Sequence, residues 1–239
     1  MACWNCGATT TDGEITCPSC GSLQPVAEGA GDFDLLGLPM RFDLSEEELE
    51  NRFRELQKLT HPDRFATKTE HERELSASIS ARANLAYDAL RDPVQRAQRI
   101  LRAKFDVDAV GEEPSGGGSG GSGGGDDDDD GDDDDFGVGR MGGAADMELL
   151  MRVMETRERI ESAARAADAS ALAELLRESE EDVGQCLAKL ISAFDEHERE
   201  GLHEGGQSGA VQRATALTVE LRYLKKIEEE ILEHIPDPS

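Results

Sequence analysis

Two groups of residues in this 239-residue chain have the types and spacing to do chemistry. The first is a pair of Cys-x-x-Cys-Gly hooks, Cys3-Trp4-Asn5-Cys6-Gly7 and Cys17-Pro18-Ser19-Cys20-Gly21, with ten residues between Cys6 and Cys17. The short spacer lets both thiolates of a hook point at one centre, and the glycine lets backbone amides turn back toward sulfur. Four thiolates so placed suit a tetrahedral ion, usually structural zinc, with an iron centre of rubredoxin type also open. Disulfides or free thiols are the remaining uses of such cysteines. A segment this short has little core of its own, so a metal would supply most of its folding free energy. Ribbons of this kind serve as nucleic-acid binders, dimerisation knobs and folding staples alike, so the hooks alone do not assign a function.

The second group is His61-Pro62-Asp63, an imidazole, a rigid proline and a carboxylate, with Arg52, Arg54 and Lys58 before it and Arg64 and Lys68 after it. An ordinary helix connector uses the same turn chemistry. A hydrolase built on His61 and Asp63 would need a nucleophile or a phosphate loop, and no such pattern accompanies them. A proline between the two polar groups suits docking better than catalysis.

The elements around the tripeptide are legible. Ser45 with Glu48 has the form of a capping box, and Leu44 with Leu49 that of a hydrophobic staple. Leu49, Phe53, Leu56 and Leu59 follow on one helical face. Pro62 cannot continue a helix and pushes His61 out of the α region, so this helix should stop near Thr60. A second helix from about Thr69 carries Leu75, Ile79, Ala83, Ala86 and Leu90 until Asp92-Pro93 breaks the pattern. The two should run antiparallel, joined by a polar loop. Val94, Ala97, Ile100 and Leu101 give a further helix to about Lys104, and Phe33 to Leu38 a short first one.

Beyond Met147 the spacing predicts three helices. The first has the stripe Leu149, Val153, Thr156, Ile160, Ala163 and Ala167. The second has Leu172, Leu176, Ser179, Val183, Cys186, Leu190 and Phe194, with Cys186 a buried structural thiol. After Gly205-Gly206 comes the third, with Leu217, Leu221, Leu224, Ile231 and Ile235. An antiparallel three-helix bundle follows. Leu150, Met151 and Met154 centre opposite the first stripe, with Glu155, Arg157 and Glu158 flanking them. That second apolar face needs a cover, either another part of this chain or a partner for which exposed methionines are an adaptable surface.

The formal net charge is −27, and nine aspartates lie between Asp126 and Asp135. Such acidity disfavours a phosphate-tracking nucleic-acid binder. Residues 111–145 are of low complexity, a glycine-serine run and then the aspartate tract, and read as a solvated spacer, with calcium binding by the aspartates as the other use. No apolar run approaches a bilayer span. The first residues carry neither an arginine-rich amphipathic helix nor a secretory core. Four of the five cysteines fall in the first twenty residues, which points to a metal site in a reducing compartment.

Leu36-Gly37-Leu38-Pro39, the capped helix, the tripeptide, Asn84-Leu85-Ala86-Tyr87, Leu90, Asp92-Pro93 and Arg96-Ala97 together resemble the J-domain of DnaJ-type co-chaperones. His61-Pro62-Asp63-Arg64-Phe65 after Leu56-Gln57 resembles the HscB family, co-chaperones of iron-sulfur cluster assembly, and some eukaryotic members carry a similar double hook at their amino terminus. The resemblance implies a mainly α protein with a small zinc ribbon at 1–26, a helical J-domain at 31–106 and an antiparallel three-helix bundle at 147–236; the disordered linker at 107–146 is read from composition and departs from the family, whose bacterial members join the two domains more tightly. It implies a non-enzymatic adaptor in which His61, Pro62 and Asp63, with Arg54 and Lys58, dock on a heat shock protein 70 chaperone of mitochondrial DnaK or HscA type and stimulate its ATP hydrolysis. Residues 149–158 are similar to the HscB motif that binds the cluster scaffold IscU, which brings in Leu150, Met151, Met154, Glu155, Arg157 and Glu158, with Tyr223 at the family's aromatic position. Thr156 replaces a leucine common there, a change expected to touch packing more than recognition. Zinc on Cys3, Cys6, Cys17 and Cys20 is the implied cofactor. A nucleic-acid or membrane partner is not expected, a homodimer through the ribbon is open, and the implied location is the mitochondrial matrix, with a cytosolic pool possible. A general J-domain protein delivering unfolded clients is the alternative.

Overall fold

The computed structural model describes residues 1–11, 13–27, 29–110, 144–200 and 209–235. Among them are seven helices: α1 (Asp32–Leu36), α2 (Glu46–Thr60), α3 (Glu70–Arg91), α4 (Pro93–Phe105), α5 (Ala144–Arg165), α6 (Ala169–Glu200) and α7 (Gly209–His234). A 3-10 turn, Pro62–Phe65, lies between α2 and α3. The mainly α expectation holds. Among the described residues extended pairing is confined to isolated bridges, Ala2 with Thr9 and Thr16 with Leu23. The glycine-serine run, the aspartate tract and the Gly205-Gly206 break lie outside the described residues. Among those described, no helix is long and apolar enough to cross a membrane.

The Ser45 hydroxyl accepts from the Glu48 amide at 3.1 Å to start α2. The Glu48 carboxylate turns to Arg41, 2.6 Å away, so only half of the expected capping box is made. Thr69 and Glu72 make the full reciprocal box at the start of α3, and Asp92 caps α4 by accepting from the Val94 and Gln95 amides. Helices α2 and α3 pair in reverse order: Glu46 with Arg91, Phe53 stacked on Tyr87, Gln57 with Asn84, Thr60 with Ser80. That order is the expected antiparallel hairpin. Leu49, Leu56, Ile79, Ala83, Ala86 and Leu90 form its core. Leu59 departs from the expected stripe. It is 45% exposed, and the neighbouring Thr60 takes the buried position because spacings of four, three and four from Leu49 lead to residue 60.

The chain divides into two compact units, and the first joins residues 1–110 to residues 184–222. In it Phe42 stacks on Phe194, Phe105 meets His197 edge to face, and Arg222 donates to the Val110 carbonyl at 2.6 Å. Cys186 is the buried thiol expected, its Sγ donating to the Leu217 carbonyl. Arg96 is the polar keystone of this unit. Its guanidinium donates to the carbonyls of Leu90 at 2.7 Å and Phe42 at 3.0 Å, with Leu44 and Arg91 further out. Desolvation by burial pulls its pKa below the usual arginine value. Arg96→Ala is expected to cost about 2 kcal/mol, because several carbonyls lose a charged donor at once. Chemical unfolding followed by helical circular dichroism checks this.

The second unit contains α5, α6 as far as Val183 and α7 from Tyr223. Its core is Val153, Ile160, Ala163, Leu172, Leu175, Ile227 and Ile231. Arg152 with Asp182 and Arg159 with Glu178 show α5 and α6 running antiparallel. Ala167 is not part of the α5 stripe. It stands past the helix end at φ 50°, where its amide bonds the Ala164 carbonyl and that of Asp168 the Ala163 carbonyl.

Candidate functional site

The corner at the end of α2 is anchored from beneath. Thr60 is fully buried, and its carbonyl accepts from the Ser76 hydroxyl at 2.6 Å and the Ser80 hydroxyl at 2.9 Å, both on α3. The next residue leaves the helix: His61 has φ −57° and ψ 127°, as a residue before proline should. Pro62 then opens the 3-10 turn. The His61 ring accepts at Nδ1 from the Asp63 amide at 3.3 Å, and the Asp63 carboxylate lies 3.7 Å from the same nitrogen. The side chains stay outside, His61 53% and Asp63 92% exposed. Arg64 reaches back to donate to the Lys58 carbonyl. The polar groups are thus presented outward on a corner whose backbone is tied to the core one residue earlier. On α2 Arg54 pairs with Glu50 one turn back, and Lys58 is exposed. The sequence pattern placed the corner correctly. The Thr60, Ser76 and Ser80 network was not legible, since serines on a helix normally read as solvent-facing.

The four hook cysteines converge. Their sulfurs all lie within 4.8 Å of one another, with Cys3 to Cys20 at 3.7 Å and Cys6 to Cys17 at 3.8 Å. A tetrahedral ion with metal–sulfur bonds of about 2.3 Å needs sulfurs about 3.8 Å apart, the separation of these two pairs, so the donor set suits such an ion. The two hooks repeat one geometry. The Cys3 amide bonds Ala8 and the Gly7 amide bonds Cys3, just as Cys17 bonds Ser22 and Gly21 bonds Cys17. Gly7 at φ 72° and Gly21 at φ 73° close both turns in the left-handed region that glycine favours. Side chains not singled out from the sequence also serve the sulfurs. Gln24 donates to Cys3 Sγ at 3.3 Å, the Ser22 hydroxyl lies 3.3 Å from Cys20 Sγ, and Asn5 bonds Ser22 at 2.7 Å. The Ser22 hydroxyl and amide pull the Cys20 thiol down to about 6. Cys6 accepts from the Ala8 amide, yet the adjoining Cys20 sulfur and burial push it up to about 11. Four thiolates this close repel one another unless a cation sits among them.

On α5, Met147, Met151 and Met154 are 62%, 65% and 64% exposed along one stripe, Glu155 and Glu158 are exposed beside them, and Leu150 is half-buried. Arg157 is half-buried with Nε 3.0 Å from the Glu230 carboxylate on α7, so it helps hold the two helices together. Tyr223 is also half-buried, packed against the core cluster of its unit. Thr156 turns its hydroxyl to the Arg152 carbonyl at 2.8 Å, which satisfies the group a leucine would not bring.

Residues 145–232 match the family model described as the HSCB C-terminal oligomerisation domain. The co-chaperone protein HscB homolog of Burkholderia mallei is 32% identical over 199 residues, spanning 83% of this chain and 90% of its own length. The chaperone HscB from Vibrio cholerae has a TM-score of 0.59 at 26% identity, over 85% of this chain and 96% of that one. Human co-chaperone protein HscB shares the fold with a TM-score of 0.68 at 24% identity, over 99% of this chain and all of that one, 100%. An antiparallel helical hairpin presenting His-Pro-Asp, followed by helices that match a co-chaperone family, defines a J-domain co-chaperone and not an enzyme. Within that class, the chain belongs to the HscB family.

Proposed function

We propose that this chain brings the iron-sulfur scaffold IscU to a heat shock protein 70 chaperone of mitochondrial DnaK or HscA type and stimulates that chaperone's ATP hydrolysis, promoting cluster transfer. The observation that carries the reading is the His61-Pro62-Asp63 corner, exposed at its tip and tied at Thr60 to α3. A rigid corner accelerates hydrolysis if it binds the hydrolysis-competent chaperone better than the resting one; equal binding would change nothing. Arg54 and Lys58 supply positive charge beside it. The exposed stripe of Met151 and Met154, with Leu150, Glu155 and Glu158 around it, is the scaffold-binding face, and Arg157 and Tyr223 set its edges from the α5 and α7 side. Carrying both sites on one polypeptide raises the client's local concentration at the chaperone.

The test is the ATPase rate of a mitochondrial heat shock protein 70 with this protein, with and without IscU. The rate should rise with this protein and rise further with IscU. Stimulation indifferent to IscU would leave a general J-domain protein. No stimulation would leave the corner a helix connector. We also propose a mitochondrial matrix location, which fractionation of cells expressing the protein tests.

Zinc is the ion we assign to Cys3, Cys6, Cys17 and Cys20, since the sulfur separations suit it and four thiolates are its usual structural set. Purified protein should hold one zinc per chain by elemental analysis and be colourless; an iron site would show visible thiolate absorbance instead. Binding requires thiolates, so metal should be released as pH falls and retained as it rises.

A further inference from the structure

Trp4 is the single tryptophan of the chain, and it lies between two of the metal ligands, Cys3 and Cys6. Its indole N–H donates to the Leu23 carbonyl at 2.6 Å, which fastens the first hook to the second. The same ring meets the imidazole of His71 edge to face, with centroids 4.5 Å apart and planes at 88°. His71 is the second residue of α3, inside the turn capped by Thr69 and Glu72, where the loop carrying His61, Pro62 and Asp63 comes to its end. The start of that loop is held by buried Thr60 and the serines beneath it. Its far end is held by an exposed helix cap and by the contact with Trp4. The ribbon that presents Trp4 has almost no apolar core: among the described residues before Gly29, Cys3, Cys17 and Leu23 are the buried hydrophobic side chains. A lobe built in this way keeps its shape only while its ligands are bridged.

We infer that Trp4 and His71 are positioning residues for the His-Pro-Asp corner: the metal-bound ribbon presses its indole on the first turn of α3 and so makes the order of that corner depend on metal occupancy. Losing the ion unfastens Trp4 from Leu23 and His71, and the end of the loop then opens more often. The consequence for the chaperone rests on the function proposed above, whereas the contact and its coupling to the metal are measured without any chaperone.

The experiment uses the full chain, first loaded with Zn²⁺ and then stripped by a chelator under reducing conditions. Hydrogen exchange of amides 61–75 and Trp4 fluorescence are followed together, with α5 amides as the internal reference. Stripping should change the indole emission and raise exchange at 61–75 by about three- to tenfold, the range expected when one aromatic contact no longer restrains a local opening. His71→Ala leaves every ribbon residue in place. It should raise exchange to a similar degree with zinc still bound, and further stripping should then add little. Trp4→Phe keeps a ring against His71 and should hold exchange near the loaded wild-type level. The inference is overturned if exchange at 61–75 is the same in loaded wild type, stripped wild type and His71→Ala. If exchange rises as stated while His61→Gln leaves chaperone stimulation unchanged, the positioning role stands and the assignment of the corner to the chaperone falls.

Discussion

Replacing His61 with glutamine is expected to bring chaperone stimulation down by at least about tenfold, toward the unstimulated rate, while the protein stays folded. The two effects separate because the His61 ring is half exposed and contributes one long hydrogen bond, 3.3 Å from the Asp63 amide to Nδ1. Surface substitutions of this kind usually change stability by less than about 0.5 kcal/mol. What glutamine removes is the flat imidazole presented beside Pro62 and Asp63. If that ring contacts the hydrolysis-competent chaperone more strongly than the resting one, losing about 1.4 kcal/mol of the difference already costs a factor of ten in rate. The measurement is the ATPase rate with wild type and His61→Gln at saturating concentration, accompanied by circular dichroism. Equal stimulation by both proteins would remove His61 from the docking surface. A variant that failed to stimulate because it had unfolded would be recognised by lost helicity.

The second large effect is expected at the methionine stripe. If the proposed scaffold-binding face is right, Met151→Asp with Met154→Asp should weaken IscU binding by about a hundredfold or more, because two adaptable apolar side chains at its centre are exchanged for charges that binding would desolvate. Stability should hardly move, since both residues are about two-thirds exposed, 65% and 64%, in the free protein. Isothermal titration against the scaffold, with thermal unfolding as control, reads both quantities. Affinity within a factor of two of wild type would displace the binding face from α5. Arg157 should behave differently. Its ion pair with Glu230 links α5 to α7, so Arg157→Ala combines a loss of packing with any loss of recognition.

Much of this protein was legible as sequence because the signals that specify it are local. Ser45 declares a helix start, Asp92-Pro93 breaks one helix from the next, Pro62 ends a helix by its own ring, and each Cys-x-x-Cys-Gly hook carries its turn with it, whereas the full box of Thr69 with Glu72 emerged only in the structure. The periodic spacing of Leu49, Ile79, Val153 or Leu221 sorts buried from exposed for the same reason, since one helix turn sets its neighbours. Surplus apolar residues on α5 were visible as a stripe before any contact was known. The tertiary structure decided what depends on two surfaces meeting. It turned Glu48 to Arg41 and away from its own helix cap, put Thr60 rather than Leu59 in the core, and aimed Ser76 and Ser80 at the Thr60 carbonyl. It set Phe42 on Phe194 and Trp4 on His71, and gave Arg157 to Glu230. Those partners are remote along the chain, and no spacing rule relates them. Each pairing exists because separate segments pack and leave one polar or aromatic group within reach of another, and where the groups are buried, as at Thr60, Ser76 and Ser80, an unmet hydrogen bond would be costly enough to select the partner.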